Sequence, residues 1–176
     1  MPDTIAIATA ADAPVIADLV NRAYRPGPDA AGWTHEAALV AGQRTSADQV
    51  LALMRDDSIV LTMTRSGTLI ACVHAQKDDD ACWIGMLATE PSLQGGGVGK
   101  AMLNAAEQIA CQVFQAKVLR MSVLSNRPEL QAYYERRGFQ LTGEVQPYPL
   151  DAAVGTPIQS GLLVQSMAKA LDKAYL

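Results

Sequence analysis

Four glycines fall within the seven residues Gln94-Gly95-Gly96-Gly97-Val98-Gly99-Lys100, and the residues on either side dictate the local fold. Upstream, Cys82-Trp83-Ile84-Gly85-Met86-Leu87-Ala88-Thr89 is apolar enough to be a buried strand, and Pro91-Ser92 forbids its continuation. Downstream, Val98, Met102, Ala105, Ile109 and Val113 recur at helical spacing, while Lys100, Asn104, Gln108 and Gln115 fall on the other side. The order is strand, glycine loop, helix. Such a loop turns successive backbone N–H groups toward one point, and the unpaired first-turn N–H groups of the helix add partial positive charge there. It therefore suits a phosphate or pyrophosphate.

Two phosphate-binding patterns fail on spacing. The dinucleotide fingerprint G-x-G-x-x-G would need glycine at Lys100 or at Met102, and the nucleotide loop G-x-x-x-x-G-K-[ST] would need glycine at Gln94 and a hydroxyl at Ala101. What remains is Q-x-x-G-x-G, which resembles the acyl-CoA pyrophosphate loop of the GNAT superfamily of N-acetyltransferases. The competing reading is a glycine-rich loop without a ligand. A second stretch, Asn126-Arg127-Pro128-Glu129-Leu130-Gln131-Ala132-Tyr133-Tyr134-Glu135-Arg136-Arg137-Gly138-Phe139, resembles the family's later motif, in which an Asn opens a short helix ending in Tyr, a few residues and Gly-Phe. Tyr134 stands four residues before Gly138, as that pattern requires. Asn126 stands eight before Tyr134, one more than in many members. Gly32-Trp33-Thr34-His35-Glu36 and Gly42-Gln43-Arg44-Thr45 are similar to segments of a bacterial branch whose substrates are unassigned.

At 176 residues the chain is long enough for one substantial core and short for two, so a single domain over residues 1–176 is expected. Hydrophobic content of 49%, charged content of 18% and mean hydropathy of +0.08 belong to a globular protein. No apolar run approaches the roughly 20 residues that span a bilayer, and Met1 to Ala11 lacks a basic start and a cleavable apolar core. The expected compartment is the cytoplasm, with no membrane partner. Cys72, Cys82 and Cys111 lack C-x-x-C spacing and read as buried thiols; His35 and His74 lie far apart and give no metal motif, so no metal is expected. A net charge of −4 disfavours nonspecific nucleic-acid binding.

Strands are expected over Thr4–Ala8, Ile59–Thr64, Leu69–Ala75, Ala81–Thr89, Val118–Leu124, Phe139–Gly143 and Leu162–Met167. Helices are expected from the stripe Val15, Ile16, Leu19, Val20 and Tyr24, from Ala47 to about Arg55, through the post-glycine segment, and over Glu129–Arg137. Pro26 to Thr45 reads as loop, and twenty structureless residues inside a compact domain are unusual unless they act. Asp78-Asp79-Asp80 reads as a solvated turn. The pattern is an α/β (α+β) fold, which the resemblance makes GNAT-like: a mixed, mostly antiparallel sheet of about seven strands flanked by about four helices.

The resemblance implies an N-acetyltransferase that moves an acetyl group from acetyl-CoA to a primary amine of a small molecule or peptide by direct attack in a ternary complex. Such chemistry needs a neutral amine, a donor for the oxyanion and a proton for the departing thiolate. The matching residues are Leu87, Ala88 and Thr89 for backbone groups along the amide-bearing arm, Gln94, Gly95, Gly96, Gly97, Val98, Gly99 and Lys100 for the pyrophosphate, and Asn126 for the pantetheine region or as a helix cap. Tyr134 matches the general acid, with Tyr133 as a packing counterpart. The base is open among Glu36, His35, His74, Glu90 and a water chain; Glu36 is preferred because it sits in the loop expected near the acceptor. In that loop Trp33 supplies an apolar wall or an anchor, and His35, Glu36 and Arg44 line the acceptor pocket, with Arg44 suited to an acceptor carboxylate. The other function classes are a non-catalytic acyl-CoA-binding sensor or regulatory domain and a structural subunit. A homodimer is left open.

Overall fold

A computed structural model describes residues 2–29 and 32–172. In chain order the elements are β1 (Thr4–Ile7), α1 (Ala13–Tyr24), β2 (Val40–Ala41), α2 (Ala47–Ala52), β3 (Ser58–Arg65), β4 (Thr68–Asp78), β5 (Ala81–Thr89), α3 (Val98–Gln112), β6 (Val118–Leu124), α4 (Pro128–Glu135), β7 (Gln140–Pro147), β8 (Thr156–Pro157) and β9 (Leu163–Ala170). The seven expected strands build one sheet of order β1-β3-β4-β5-β6-β9-β7. Every pairing in it is antiparallel except β5 with β6.

The sheet is covered on both faces, which is why β4 carries the unbroken buried run Ile70-Ala71-Cys72-Val73 rather than an alternation. On one face α3 packs Met102, Leu103, Ala106 and Ala110 against Val73, Ala75, Ile84 and Leu119, and Tyr134 and Phe139 extend the same core. On the other, α1 packs Ile16, Ala17, Leu19 and Val20 against Val60, Cys72, Met86 and Ala88. A third small cluster of Val40, Tyr148 and Leu162 ties the segment before α2 to the segment before β9.

The helical stripes differ from the sequence reading in detail. Val15 is 51% exposed, and the small residues Ala13, Ala17 and Ala23 complete the buried face of α1. In α3 the buried face runs through Met102, Leu103, Ala106, Ala110 and Cys111, leaving Ala105 and Ile109 at its margin; Val113, past the helix end, is 55% exposed. Helix α2 closes at Ala52, three residues before the expected end, because Arg55 turns back to pair with Ser58. The loop 26–45 is not wholly structureless: Val40–Ala41 pairs with Thr156–Pro157, a contact between two-residue strands too short to leave a period in sequence. All three cysteines are buried free thiols. No helix among the described residues is long and apolar enough to cross a membrane.

Two irregularities open the sheet. Met86 and Leu87 together face the single residue Val73, a bulge with Met86 at φ +48°, which bends β5 away from its ladder. On the other side β5 and β6 pair only through Ala81, Cys82 and Trp83 opposite Val118, Leu119 and Arg120. Beyond Trp83 the two parallel strands separate, and a cleft runs through the sheet between them.

Candidate active site

Two cavities occupy this cleft. The first, of about 410 Å³, is lined by Trp33, Thr34, Thr89, Gln94, Gly95, Gly97, Gly99, Lys100, Arg127, Leu130, Tyr133, Arg136 and Arg137 together with the residues shared with the second. The second, of about 350 Å³, is lined by Arg44, His74, Gln76, Trp83, Gly85, Tyr148, Pro149, Val154 and neighbours. Tyr24, Glu36, Leu87, Ser122, Val123, Leu124 and Tyr134 line both. The two chambers therefore meet where β5 and β6 part.

The glycine loop forms the far end of the first chamber. Gly95 and Gly97 both have φ +85°, a left-handed conformation that a side chain disfavours, and Gly97 is the residue from which α3 starts. The first intrahelical bond of α3 is donated by Ala101 N–H to the Gly97 carbonyl at 3.0 Å, so the N–H groups of Val98, Gly99 and Lys100 precede the helix's own ladder. A Cβ at Gly97 would meet nothing within 4 Å and would project into open space. Gly99 has a different reason to be glycine: a Cβ there would stand 3.2 Å from the Tyr133 hydroxyl and 3.6 Å from Thr89 Oγ1, so its absence lets α3 approach α4 and β5. Val98 turns its side chain into the core, so only its backbone groups are available to a ligand. Ala88 is buried and in register with Cys72, two residues before Glu90, whose N–H donates to the Ile70 carbonyl, so its backbone groups turn toward β4 and away from the cleft.

Gln94 does something the motif does not reveal. Its Oε1 accepts from Trp33 N–H at 2.9 Å and Thr34 N–H at 3.3 Å, and its Nε2 donates to Thr34 Oγ1 at 2.8 Å and to the Thr89 carbonyl at 3.4 Å. The side chain thus straps the 32–36 segment onto the loop. Gly32, at φ +116°, fits because a Cβ would lie 3.0 Å from Gln94 Oε1. Arg127, buried at the start of α4, completes the tether by donating to the Thr34 and Trp33 carbonyls, both at 3.3 Å, and to Glu129. Trp33 packs its ring 5.6 Å from that of Tyr133 and lines the first chamber, not the second.

At the junction Tyr134 is 8% exposed, set edge-on to Tyr133 and Phe139 at ring separations of 5.2 and 5.9 Å. Its hydroxyl makes no hydrogen bond among the described residues. Burial pushes this phenol well above its ordinary value, so it stays protonated at neutral pH. Tyr24, raised to about 12 by burial, donates to the Leu87 carbonyl at 3.1 Å. The Leu87 and Thr89 carbonyls therefore both face the cleft. Glu36 is 8% exposed; burial raises its carboxyl above the usual range, opposed by the charges of Arg25, Arg44 and Arg127, and Arg25 Nη2 lies 3.7 Å from Glu36 Oε1.

Arg44 lines the second chamber, with its guanidinium 5.5 Å from the Tyr24 ring centroid. Its backbone is fixed by Asn21, whose Oδ1 accepts from Arg44 N–H at 2.8 Å and Thr45 N–H at 3.2 Å. Neither His35 nor Asn126 is among the residues lining either chamber. Asn126 is exposed and accepts from Ser125 Oγ, and the residue preceding α4 is Arg127, so Asn126 does not cap that helix. Glu90 pairs with Arg22 at 2.9 Å, also outside both chambers. Sequence reasoning missed Arg136 and Arg137; the available signal was two consecutive cations directly after Tyr134-Glu135 at the end of the expected helix. It also missed Tyr24, taken as one more residue of the α1 stripe.

His74 lines the second chamber with Nε2 2.7 Å from Ser58 Oγ. Burial, helped by Arg55 and Arg44, lowers its value to about 4, so the ring is neutral at pH 7. In the unfolded chain it would titrate near ~6.5, so the stability gained by keeping it neutral is present above that value. It is lost as pH falls through the window from about 6.5 to about 4. His74→Gln keeps a polar partner for Ser58 and removes the titration. Between pH 7 and about pH 4.5, chemical denaturation is expected to show wild type losing on the order of 2 kcal/mol more stability than the variant. Equal acid sensitivity would assign the proton uptake elsewhere.

With this geometry in view, comparison with known proteins is informative. The sequence profile described as "Acetyltransferase (GNAT) family" matches residues 16–139, and the chain belongs to that family. A spermine/spermidine N(1)-acetyltransferase from Bacillus subtilis is 32% identical over 63 residues, a match covering 36% of this chain and 41% of that protein. Among solved structures, the ribosomal-protein-S18-alanine N-acetyltransferase from Escherichia coli superposes with TM-score 0.73 at 19% identity, covering 98% of this chain and 96% of that one. A GNAT family acetyltransferase from Elizabethkingia anophelis with acetyl-CoA bound gives TM-score 0.69 at 16% identity, covering 96% and 98%. At these identities the likeness establishes the fold.

The first chamber fits a CoA thioester. A glycine cradle with room above Gly97 suits a pyrophosphate, and Lys100, Arg136 and Arg137 converge on the same chamber. None of the three forms an ion pair among the described residues. Arg137 instead stacks 3.4 Å from the Tyr133 ring centroid.

Proposed function

We propose that this protein is an N-acetyltransferase that moves an acetyl group from acetyl-CoA to a primary amine in a single ternary complex. The observation that carries the reading is the meeting of the two chambers at Tyr134, one built for a phosphate-bearing ligand and the other walled by aromatic and polar side chains. Acetyl-CoA supplies an activated acetyl group. The first-turn N–H groups of α3, with Lys100, Arg136 and Arg137, hold its phosphates. Backbone groups of Leu87 and Thr89 on the open edge of β5 hold the amide-bearing arm and polarise the thioester carbonyl, while Ala88 between them is in register with Cys72 of β4.

Glu36 is the candidate base, and its raised value makes it a better proton acceptor than an ordinary carboxylate. Tyr134 is the candidate acid. In solution a phenol gives its proton to a thiolate uphill by roughly 1.5 units, so the hydroxyl helps only by standing beside the sulfur as negative charge develops there. A buried hydroxyl without a competing protein acceptor meets that need. The compartment we expect is the cytoplasm.

Amine-dependent release of free thiol from acetyl-CoA tests this reading. Tight acetyl-CoA binding with no thiol release across a broad amine panel would make the protein an acyl-CoA-binding regulator instead.

A further inference from the structure

Resting on the acetyltransferase reading, we infer that the acceptor is a small amine that also carries a carboxylate, an amino acid or a close analogue, with its carboxylate on Arg44 and its amine beside Glu36. The charge of the second chamber carries the argument. Among its lining residues Glu36 and Arg44 are the charged side chains, His74 is neutral at pH 7, and the sum is zero. Glu36 is already approached at 3.7 Å by Arg25 Nη2, which itself donates to the Val154 carbonyl at 3.0 Å while Nη1 donates to the Gly42 carbonyl at 3.3 Å. Arg44 is the opposite case. Its guanidinium has no hydrogen bond or ion pair among the described residues, yet it is half-buried and its backbone is pinned by Asn21. A planar fork of donors on a pinned backbone, lying 5.5 Å from the Tyr24 ring centroid and without an acceptor among the described residues, matches a carboxylate in bidentate geometry.

The same charge count disfavours a polyamine. Several ammonium groups would confront one carboxylate already shared with Arg25, and Arg44 would repel the remainder. The rest of the lining suits an uncharged body: Tyr24, Trp83 and Tyr148 with Ile84, Met121 and Val164. A volume of about 350 Å³ accommodates a molecule of amino-acid size.

Matched acceptors test the inference. Thiol release is measured for the common amino acids, for their carboxamides, and for spermidine, with wild type, Arg44→Gln and Arg44→Lys. Wild type is expected to favour the best amino acid over its carboxamide by about 10–100-fold in kcat/KM. Arg44→Gln should erase that preference while leaving the KM for acetyl-CoA unchanged, and Arg44→Lys should restore part of it. Turnover of carboxamides or spermidine in preference to amino acids, or a preference that survives Arg44→Gln, would overturn the inference and leave the transferase reading standing. No thiol release with any amine would overturn both.

Discussion

Tyr134→Phe is expected to lower kcat by about 10²–10⁴-fold while acetyl-CoA affinity and folding stability stay near wild type. The ring packs edge-on between Tyr133 and Phe139, and phenylalanine keeps those contacts. The hydroxyl has no hydrogen-bond partner among the described residues, so removing it forfeits little folding free energy, within about 1 kcal/mol. What is lost is a protonated hydroxyl at the junction of the chambers that, unlike that of Tyr24, is not already donated to a backbone carbonyl among the described residues. The neighbouring Tyr133→Phe provides the contrast. Its hydroxyl lies by Gly99 within the first chamber, so its loss should affect acetyl-CoA binding more than the chemical step. Wild-type kcat in Tyr134→Phe would reduce Tyr134 to a packing residue.

The second large effect is expected at Gly97. A Cβ there projects into open chamber at the mouth of the α3 N-terminus, so Gly97→Val should weaken acetyl-CoA binding about 30–100-fold by blocking approach to the backbone N–H groups. The left-handed φ of +85° adds strain of about 1–2 kcal/mol for a branched side chain, which a thermal melt would register. Gly97→Asn separates the two causes, since asparagine tolerates that conformation while still filling the space. Both variants should bind acetyl-CoA poorly, and only Gly97→Val should melt early. Unchanged affinity in folded Gly97→Asn would show that the phosphates are held elsewhere.

The glycine loop, the strand before it and the helix after it were legible because backbone chemistry leaves a local signature in sequence. The seven strands of the sheet were legible for the same reason, whereas Tyr134 was reached through the resemblance of its segment to the family's later motif. Long-range side-chain traffic left no such trace. Gln94 occupies a motif position, yet its amide turns to Trp33 and Thr34, sixty residues upstream, and Trp33 consequently joins the phosphate-side chamber rather than the acceptor side. Glu36 and Arg44 were placed at the acceptor pocket, as base and carboxylate partner, from the loop they occupy and not from any contact. What holds them is Arg25 and Asn21, which the sequence reading did not single out. Pro91 marked only where the strand must stop, whereas the sheet opens through a bulge at Met86–Leu87 and a parallel pairing that ends at Trp83. Neither has a period to read.

The most direct measurement follows free thiol and N-acetylated amine together in one reaction of the protein with acetyl-CoA and an acceptor. The account expects the two products to accumulate one for one, both dependent on the amine and both suppressed together in Tyr134→Phe. Thiol released at the same rate without amine, or acetyl-CoA bound tightly with neither product formed, would contradict it.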